Sequence, residues 1–154
     1  MSKSKKILQY WNLRASNKTL KCTNDINLEE KELDFFNSTI KKNKKILDLG
    51  CGDGNLLQNL RKKKNIKGIG IDYSENLIKV ANKNNKNLKF ICMDMLKINK
   101  LKHETFDYII SKRALQNLTN WRNQKEIINK LHLFSNSKTR ILLIESSRNA
   151  LNKI

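Results

Sequence analysis

The stretch from Ile46 to Gly54 constrains the fold more than any other part of this sequence. It reads Ile-Leu-Asp-Leu-Gly-Cys-Gly-Asp-Gly, an apolar run followed at once by three glycines in five positions. A short apolar run bounded by glycines is typical of a buried strand, and glycines let a backbone turn tightly and approach a ligand closely. The pattern therefore predicts a strand that ends in a ligand-binding loop.

Beyond this stretch, short apolar runs alternate with longer amphipathic segments. This alternation indicates strand–helix–strand units, whose parallel strands form one sheet. We predict an α/β fold, a doubly wound and mostly parallel sheet with helices on both faces. The five predicted strands are Lys45–Leu49, Gly68–Ile71, Leu88–Cys92, Tyr108–Ile110 and Arg140–Ile144.

The length of 154 residues suits one domain with one core. We divide it into residues 1–43, an N-terminal cover and helix, and residues 44–154, the core with the predicted ligand site. Asn27 and Glu30 resemble a capping pair for a helix that precedes the first strand. A later helix is predicted over Asn123–Phe134, where apolar residues recur at helical spacing.

Acidic residues beside the glycine loop indicate the charge of its ligand. A dinucleotide-binding loop has a further glycine or alanine at the position that Asn55 occupies here. Asp48 and Asp53 would repel a pyrophosphate, whereas they would attract a ligand that carries ammonium and sulfonium groups. Asp72 follows Gly50 by 22 residues, close to the offset of about 20 at which an acid binds ribose hydroxyls.

These residues resemble the cofactor motifs of class I S-adenosylmethionine (SAM)-dependent methyltransferases of the small-molecule type. The resemblance spans about residues 44–146 and implies SAM as the cofactor. It also implies that the chain is an enzyme that moves a methyl group from SAM to an acceptor. The implied cofactor-binding residues are Asp48, Gly50, Cys51, Gly52, Gly54, Asp72, Tyr73, Asp94, Met95 and Ser111.

The resemblance also implies a role for most of these side chains. Asp48 and the glycine loop hold the methionine part of SAM, and Asp72 binds the ribose. Tyr73 packs beside the adenine ring. Asp94 accepts a hydrogen bond from the adenine amino group, and Met95 caps the ring.

Methyl transfer from a sulfonium is a direct displacement, so holding donor and acceptor in line suffices without a nucleophilic residue. We accordingly predict no particular catalytic residue. His103 and His132 are isolated, and each is more typical of a surface or helix position than of a base. The three cysteines include no close pair, so we predict no metal site and no disulfide framework.

The residues after the fourth predicted strand bear on the acceptor. By resemblance, Ser111, Lys112 and Arg113 face the methionine part of SAM and the substrate. They do not form the Asn- or Asp-Pro-Pro-aromatic motif of enzymes that methylate bases or glutamine. The segment Ser111–Trp121 instead resembles that of small-molecule methyltransferases, so a small-molecule acceptor is predicted.

The N-terminal segment, residues 1–26, shows no clear periodicity. In the family that the chain resembles, this segment often folds over the cofactor. Tyr10 and Trp11 are therefore candidates for a cover, with Arg14 contacting the SAM carboxylate. The alternative is that this aromatic pair only anchors a terminal helix to the core.

The charge of the chain supports a second hypothesis. Lys and Arg number 32 against 14 Asp and Glu, a net +18, which attracts polyanions. An RNA or tRNA methyltransferase is therefore an alternative. However, the lysines are scattered, and the densest runs, 41–45 and 61–64, lie at predicted helix-to-strand junctions, where cations complement helix dipoles. A nucleic-acid partner is disfavoured on this ground.

Cysteine usage fits a reducing cytoplasm, and no apolar run approaches the length of about 20 residues that spans a membrane.

Only nine residues follow Glu145, so the C-terminal strand pair of the family has no counterpart in this sequence. A non-catalytic, SAM-binding partner subunit is thus a third hypothesis. The fifth strand would be a sheet edge, where we expect self-association.

Overall fold

The structure is a computed structural model that describes residues 3–16, 25–101 and 104–146. The helices of these residues are α1 Lys3–Ser16, α2 Ile26–Thr39, α3 Asn55–Lys64, α4 Glu75–Asn84 and α5 Trp121–Lys130. The strands are β1 Lys45–Leu49, β2 Lys67–Asp72, β3 Lys89–Cys92, β4 Tyr108–Lys112 and β5 Arg140–Ile144. Short 3₁₀ helices cover Met95–Lys100, Leu115–Asn117 and Leu131–Phe134.

The five strands form one parallel sheet in the order β3-β2-β1-β4-β5. The predicted doubly wound α/β fold is therefore confirmed. Because the strand order reverses between β1 and β4, a crevice opens beyond the carboxyl ends of these strands, which is where such sheets bind ligands. The glycine loop follows β1 directly and lies in this crevice.

Helices cover both faces of the sheet, and each face has its own core. On one face, Ile46 and Ile110 pack with residues of α2, α3 and α4. On the other face, Leu47, Leu49 and Ile109 pack with α5 and the 3₁₀ helices. The alternation follows from the pleat of a strand, which points successive side chains to opposite faces. Strand β1 is buried on both, so it holds the glycine loop rigidly.

The structure adds one helix that was not predicted and moves the ends of several elements by one to four residues, among them the end of α5, which is Lys130 and not Phe134. Helix α1 covers part of a segment in which no periodicity was recognised. Asp25, and not Asn27, caps α2, because its side chain accepts a hydrogen bond from the Leu28 amide at 2.9 Å. Helix α5 begins at Trp121, before the predicted Asn123, because Asn120 caps it by accepting from the Arg122 amide.

Within the described residues, no helix has both the length and the apolar character that crossing a membrane requires.

Candidate active site

A cavity of about 270 Å³ lies beyond the carboxyl ends of the central strands. Its walls come from the glycine loop, the ends of β2 and β4, the residues after β3, and one side of α1. Eight of the ten predicted cofactor-binding residues line it, namely Asp48, Gly50, Cys51, Gly52, Asp72, Tyr73, Asp94 and Met95. The tertiary structure thus brings four distant strand ends together around one space.

The glycine loop needs glycine for two separate reasons. Gly50, Gly52 and Gly54 have φ angles of +74°, +55° and +80°, a region that other residues rarely adopt. At Gly50, a β-carbon would also lie 2.2 Å from the Cβ of Ala114, so the loop and the residues after β4 approach without room for a side chain. This contact closes one wall of the cavity.

Gly54 does not line the cavity. A β-carbon at this position would lie 2.7 Å from the ring of Phe90. Gly54 therefore lets the loop pack against the core and begin α3, and it has no direct part in a ligand site. Its place in the glycine pattern made it indistinguishable from Gly50 in the sequence.

Asp48 is a buried carboxyl group without a complete set of partners. The residue is 1% exposed, and its Oδ2 atom has no hydrogen-bond partner among the described residues. Burial raises the pKa of Asp48 to about 7, an effect that the Lys112 ammonium opposes and the Asp72 carboxylate reinforces. An unpaired buried carboxylate is costly, so this atom is available to accept a hydrogen bond from a group in the cavity.

Lys112 lies close to Asp48 at the end of β4, and its ammonium is poorly satisfied. The Nζ atom lies 3.8 Å from Glu29 Oε1 and 3.6 Å from Glu32 Oε2, longer than a hydrogen bond, although its side chain is only 14% exposed. Arg113 Nη2 contacts Glu32 Oε2 at 3.1 Å as an ion pair without hydrogen-bond alignment. The cavity wall thus presents an ammonium that can still donate hydrogen bonds.

Asp72 organises the loop as well as facing the cavity. Its Oδ2 accepts from the Gly52 amide at 2.9 Å, and its Oδ1 accepts from the Ser74 amide at 2.8 Å. Burial raises the pKa of Asp72, and these backbone donors oppose the rise. Each carboxylate oxygen has a second lone pair, so Asp72 can still accept hydrogen bonds from a ligand.

The far end of the cavity holds the residues predicted to surround an adenine ring. Tyr73 is half exposed, and Met95 and Leu96 of the 3₁₀ helix line the cavity as well. The Asp94 Oδ1 atom accepts from the Leu96 amide at 3.0 Å and so caps this helix. Its carboxylate therefore has a structural role here and lines the cavity at the same time.

Helix α1 forms the outer wall. Trp11 lines the cavity together with three residues of the preceding turns, Ser4, Ile7 and Leu8. The helix is held to the core because Asn12 Oδ1 accepts a hydrogen bond from the Ser74 hydroxyl at 2.6 Å. Helix α1 thus lines the cavity with Trp11 as its aromatic contact, and a role as a cover over a bound cofactor stays a prediction.

Tyr10 and Arg14 are not part of this wall. The Arg14 guanidinium donates to the Tyr10 hydroxyl at 3.0 Å and stacks over its ring at 5.4 Å. Neither residue lines the cavity. The structure does not support the predicted contact between Arg14 and a SAM carboxylate, since one helical face carries this pair and another carries Trp11.

Ser111 was predicted to face the ligand, but it is fully buried and outside the cavity lining. Its hydroxyl donates to Glu145 Oε1 at 3.0 Å. The same carboxylate accepts from the amides of Ala114, Leu115 and Gln116 at 3.1–3.3 Å. Glu145 therefore holds the segment after β4 in place, a role that nothing in the local sequence signalled.

We expect Glu145→Ala to lower the free energy of unfolding by about 2–4 kcal/mol, because buried donors of Ser111, Ala114 and Leu115 lose their acceptor. Urea denaturation followed by circular dichroism measures the loss. Glu145→Gln is the matched control, since it keeps one acceptor oxygen and should lose less. A Glu145→Ala variant as stable as the wild type would show that the clamp contributes nothing.

The remaining candidates for chemistry are inert or lie elsewhere. Burial, with the charges of Asp48 and Asp72, raises the pKa of the Cys51 thiol well above its ordinary value, so this thiol stays protonated. His132 lies on the 3₁₀ helix Leu131–Phe134, away from the cavity, and His103 lies outside the described residues. No group of metal-binding side chains occurs within the described ranges.

Comparisons with known proteins agree with this geometry. The family model described as a methyltransferase domain matches residues 40–153. No significant match occurs among curated protein sequences.

Three solved structures illustrate the fold likeness. A TehB-like SAM-dependent methyltransferase from Corynebacterium glutamicum superposes with a TM-score of 0.67 at 21% identity, over 91% of this chain and 71% of that one. The plantazolicin methyltransferase BamL was solved in complex with a triazolic desmethylPZN analogue and SAH. It superposes with a TM-score of 0.65 at 26% identity, over 92% of this chain and 49% of that one. A DhpI–SAM–HEP complex superposes with a TM-score of 0.76 at 13% identity, over 97% of this chain and 69% of that one.

The chain thus spans between about half and 71% of the length of these structures. Its own described residues nevertheless include the complete glycine loop, the acid after β2 and the cavity between them. With a family model that covers most of the sequence, the chain belongs to the methyltransferase domain family, and it shares the Rossmann-like fold of the SAM-dependent methyltransferases to which it is similar.

Proposed function

We propose that this protein binds SAM in the cavity and transfers its methyl group to a small-molecule acceptor. The observation that carries the proposal is the unpartnered Oδ2 atom of Asp48, buried at the cavity wall beside the glycine loop. A cationic ligand group would complete this carboxylate, and SAM carries an ammonium at its amino-acid end. The residues present therefore fit the cofactor that the family implies.

The amino-acid end of SAM is a zwitterion, and the cavity offers a partner for each of its charges. Asp48 would accept from the ammonium, and Lys112, whose nearest carboxylates lie at 3.6 and 3.8 Å, would donate to the carboxylate. Gly50 and Gly52 have no side chains, so they leave room for the carbon atoms of SAM that join its ammonium and its carboxylate. This arrangement replaces Arg14, the carboxylate partner expected from the sequence, with Lys112.

The nucleoside end would bind at the other side of the glycine loop. Asp72, which already accepts from the Gly52 and Ser74 amides, would accept hydrogen bonds from the ribose hydroxyls as well. Tyr73 and Met95 would lie against the adenine, and Asp94 would accept from its amino group.

SAM supplies an electrophilic methyl group on a sulfonium, and the acceptor attacks it directly. The protein would contribute position and exclusion of water, which helix α1 and the segment after β4 provide as cavity walls. The protonated Cys51 thiol takes no part as a nucleophile. We therefore assign no acid or base to the chain.

The acceptor is proposed to be a small molecule because the cavity is narrow and walled by α1. Relatives by fold point the same way, since BamL was solved with a triazolic desmethylPZN analogue and DhpI with HEP. A cytoplasmic location and self-association along β5 stay predictions. Ile141 and Leu143 of this strand are 44% and 41% exposed, and sedimentation of the purified protein tests the association.

We expect Asp72→Asn to weaken SAM binding by about tenfold to 100-fold, because a neutral amide replaces a charged acceptor of the ribose hydroxyls. Isothermal titration with SAM and with S-adenosylhomocysteine measures the effect. Asp34→Asn, an exposed acid on α2, is the matched control and should bind like the wild type.

Absence of binding by the wild type at millimolar SAM would contradict the proposal, as would identical affinities of the wild type and Asp72→Asn. Turnover of labelled SAM with a pool of metabolites then separates an enzyme from a non-catalytic subunit. Binding without turnover, with turnover restored by a second protein, would identify a partner subunit.

A further inference from the structure

The edge of the sheet opposite the cavity is strongly basic. It is formed by the amino ends of β1, β2 and β3 and by the ends of the helices that lead into them. Ten cations occupy it, which together we name the basic edge: Lys41, Lys42, Arg61, Lys62, Lys63, Lys64, Lys67, Lys83, Lys86 and Lys89. Eight of these are exposed, and Arg61 and Lys64 are half-buried.

Tertiary structure brings together the two lysine runs that are scattered in sequence. The Asn43 amide donates to the Lys64 carbonyl at 2.9 Å, and the Asn65 side-chain amide donates to Asn43 Oδ1 at 2.9 Å. The loop before β1 and the loop before β2 are therefore in direct contact. Two runs that looked like separate helix ends form one continuous surface.

Acids do not neutralise this surface. Residues 35–47, 54–71 and 76–93 contain no Asp or Glu. Every ion pair found in the described ranges involves cations outside the basic edge, such as Lys44 with Asp107 and Lys79 with Glu75. The C-termini of α2, α3 and α4 point toward this edge, each worth about half a negative charge, which leaves most of the ten cations uncompensated.

A groove of about 580 Å³ runs through the basic edge. Arg61, Lys67, Lys86 and Lys89 line it, together with Asn87. Arg61 is anchored, because its Nη1 donates to Asn65 Oδ1 at 2.7 Å and to the Ile66 carbonyl at 3.0 Å. The groove is thus a concave surface with positive charge on its rim and a fixed guanidinium at one side.

We propose that the basic edge docks the phosphate backbone of a folded RNA. Lysines without acidic partners on a concave surface attract the closely spaced phosphates of an RNA backbone. When lysines neutralise phosphates, condensed counterions are released, and this release favours binding. No aromatic residue lines the groove, so the groove offers contacts to a backbone and none that stack unpaired bases. The exposed carboxamide of Asn87 can hydrogen-bond a ribose 2′-hydroxyl beside these phosphates.

An anionic membrane fits this surface less well. Helices that lie on membranes pair a basic face with large apolar side chains that insert between lipids. None of the exposed large apolar residues of the described chain, which include Tyr73, Trp121 and Leu143, lines the groove. The docking surface and the cavity are at opposite edges of the sheet, so docked RNA anchors the protein and does not enter the site of methyl transfer.

The test compares two triple variants that remove equal charge from different surfaces. The groove variant, Lys67→Gln/Lys86→Gln/Lys89→Gln, removes three lysine charges from the groove. The control variant, Lys97→Gln/Lys100→Gln/Lys125→Gln, removes three exposed lysine charges from helices that cover one face of the sheet. Fluorescence anisotropy with a labelled RNA hairpin, between about 50 and about 200 mM salt, measures affinity and its salt dependence.

We expect the wild type to bind with a steep salt dependence. The groove variant should bind about tenfold more weakly or worse, with a shallower slope of log affinity against log salt, while the control variant should change by less than about twofold. Circular dichroism verifies that both variants are folded. Each substitution is at an exposed position, so large losses of stability are not expected.

Three outcomes would overturn the proposal: no RNA binding by the wild type, equal losses in the two triple variants, or tighter groove-dependent binding to vesicles of equal parts phosphatidylcholine and phosphatidylserine. Equal losses would mean that net charge alone attracts RNA. None of these readouts depends on SAM, so the proposal stands or falls independently of the methyltransferase function.

Discussion

Asp48→Asn is expected to weaken SAM binding about 100-fold, because truncating one partner of a buried charged pair leaves the other without compensation. The substitution keeps the shape of the side chain and removes its charge. Isothermal titration at pH 8 measures the loss, and Asp34→Asn on α2 serves again as the control. An Asp48→Asn variant that binds SAM like the wild type would remove Asp48 from the site.

The pH dependence of binding tests the same residue in a second way. The folded-state pKa of Asp48 is about 7, so below that pH a cationic ligand must displace a proton from the carboxyl group. Affinity for SAM should therefore rise with pH, by at most about tenfold per unit, and level off above about pH 7. The Asn variant should show a flat profile over this range.

Stability should follow the opposite trend in the protein without ligand. Burial raises the pKa of Asp48 from 3.8 to about 7, so the folded state binds a proton more tightly than the unfolded state. The destabilising effect of this carboxyl is absent below the unfolded-state pKa and grows as pH rises through that window. Relative to the wild type, Asp48→Asn should gain stability as pH rises from about 4 to about 7, as urea denaturation can show.

Gly50→Ala is expected to destabilise the protein by about 2–5 kcal/mol and to abolish detectable SAM binding. The φ angle of +74° disfavours any side chain, and the new methyl group would lie 2.2 Å from the Cβ of Ala114. Thermal unfolding measures the stability, and titration calorimetry measures the binding.

A double-mutant cycle separates the two causes. Ala114→Gly removes the atom that the new methyl group meets, so the double variant should be more stable than additivity predicts by about 1 kcal/mol or more. The backbone strain at Gly50 would remain. Gly68→Ala is the control, since its φ is not positive and its neighbours at 3.1 Å are the flexible ends of Ile66 and Leu57. Additive effects in the cycle would exclude the overlap.

Much of the candidate site was predictable because it follows the ends of strands. Alternating apolar runs located all five strands, and in a parallel sheet their carboxyl ends meet at one edge. Asp48, Asp72 and Asp94 therefore converge on the cavity as expected. Gly54 and Ser111 lie in the same motifs yet outside the cavity, because packing against Phe90 and hydrogen bonding to Glu145 take precedence there.

The errors concern contacts that local pattern does not encode. Asn27 was a plausible cap, but Asp25 begins the helix two residues earlier and uses the Leu28 amide. Tyr10 and Arg14 stack on each other, while Trp11, their neighbour, faces the cavity. A rotation of about 100° around the helix axis, the step between adjacent residues, decides which aromatic residue reaches the site. Periodicity in this polar segment was too weak to define its faces.

From the sequence alone, the strands, the glycine loop and the acids at or just beyond the carboxyl ends of β1, β2 and β3 were determined, since these depend on neighbours a few residues away. Tertiary structure decided which charges have partners. In the folded chain, Asp48 Oδ2 has no hydrogen-bond partner among the described residues, although Lys112 lies nearby. Glu145 accepts hydrogen bonds from a segment about 30 residues away, and two lysine runs that are distant in sequence lie side by side. Burial and pairing depend on groups that only folding brings together, and these determine both the ligand charge that the cavity requires and the surface that remains basic.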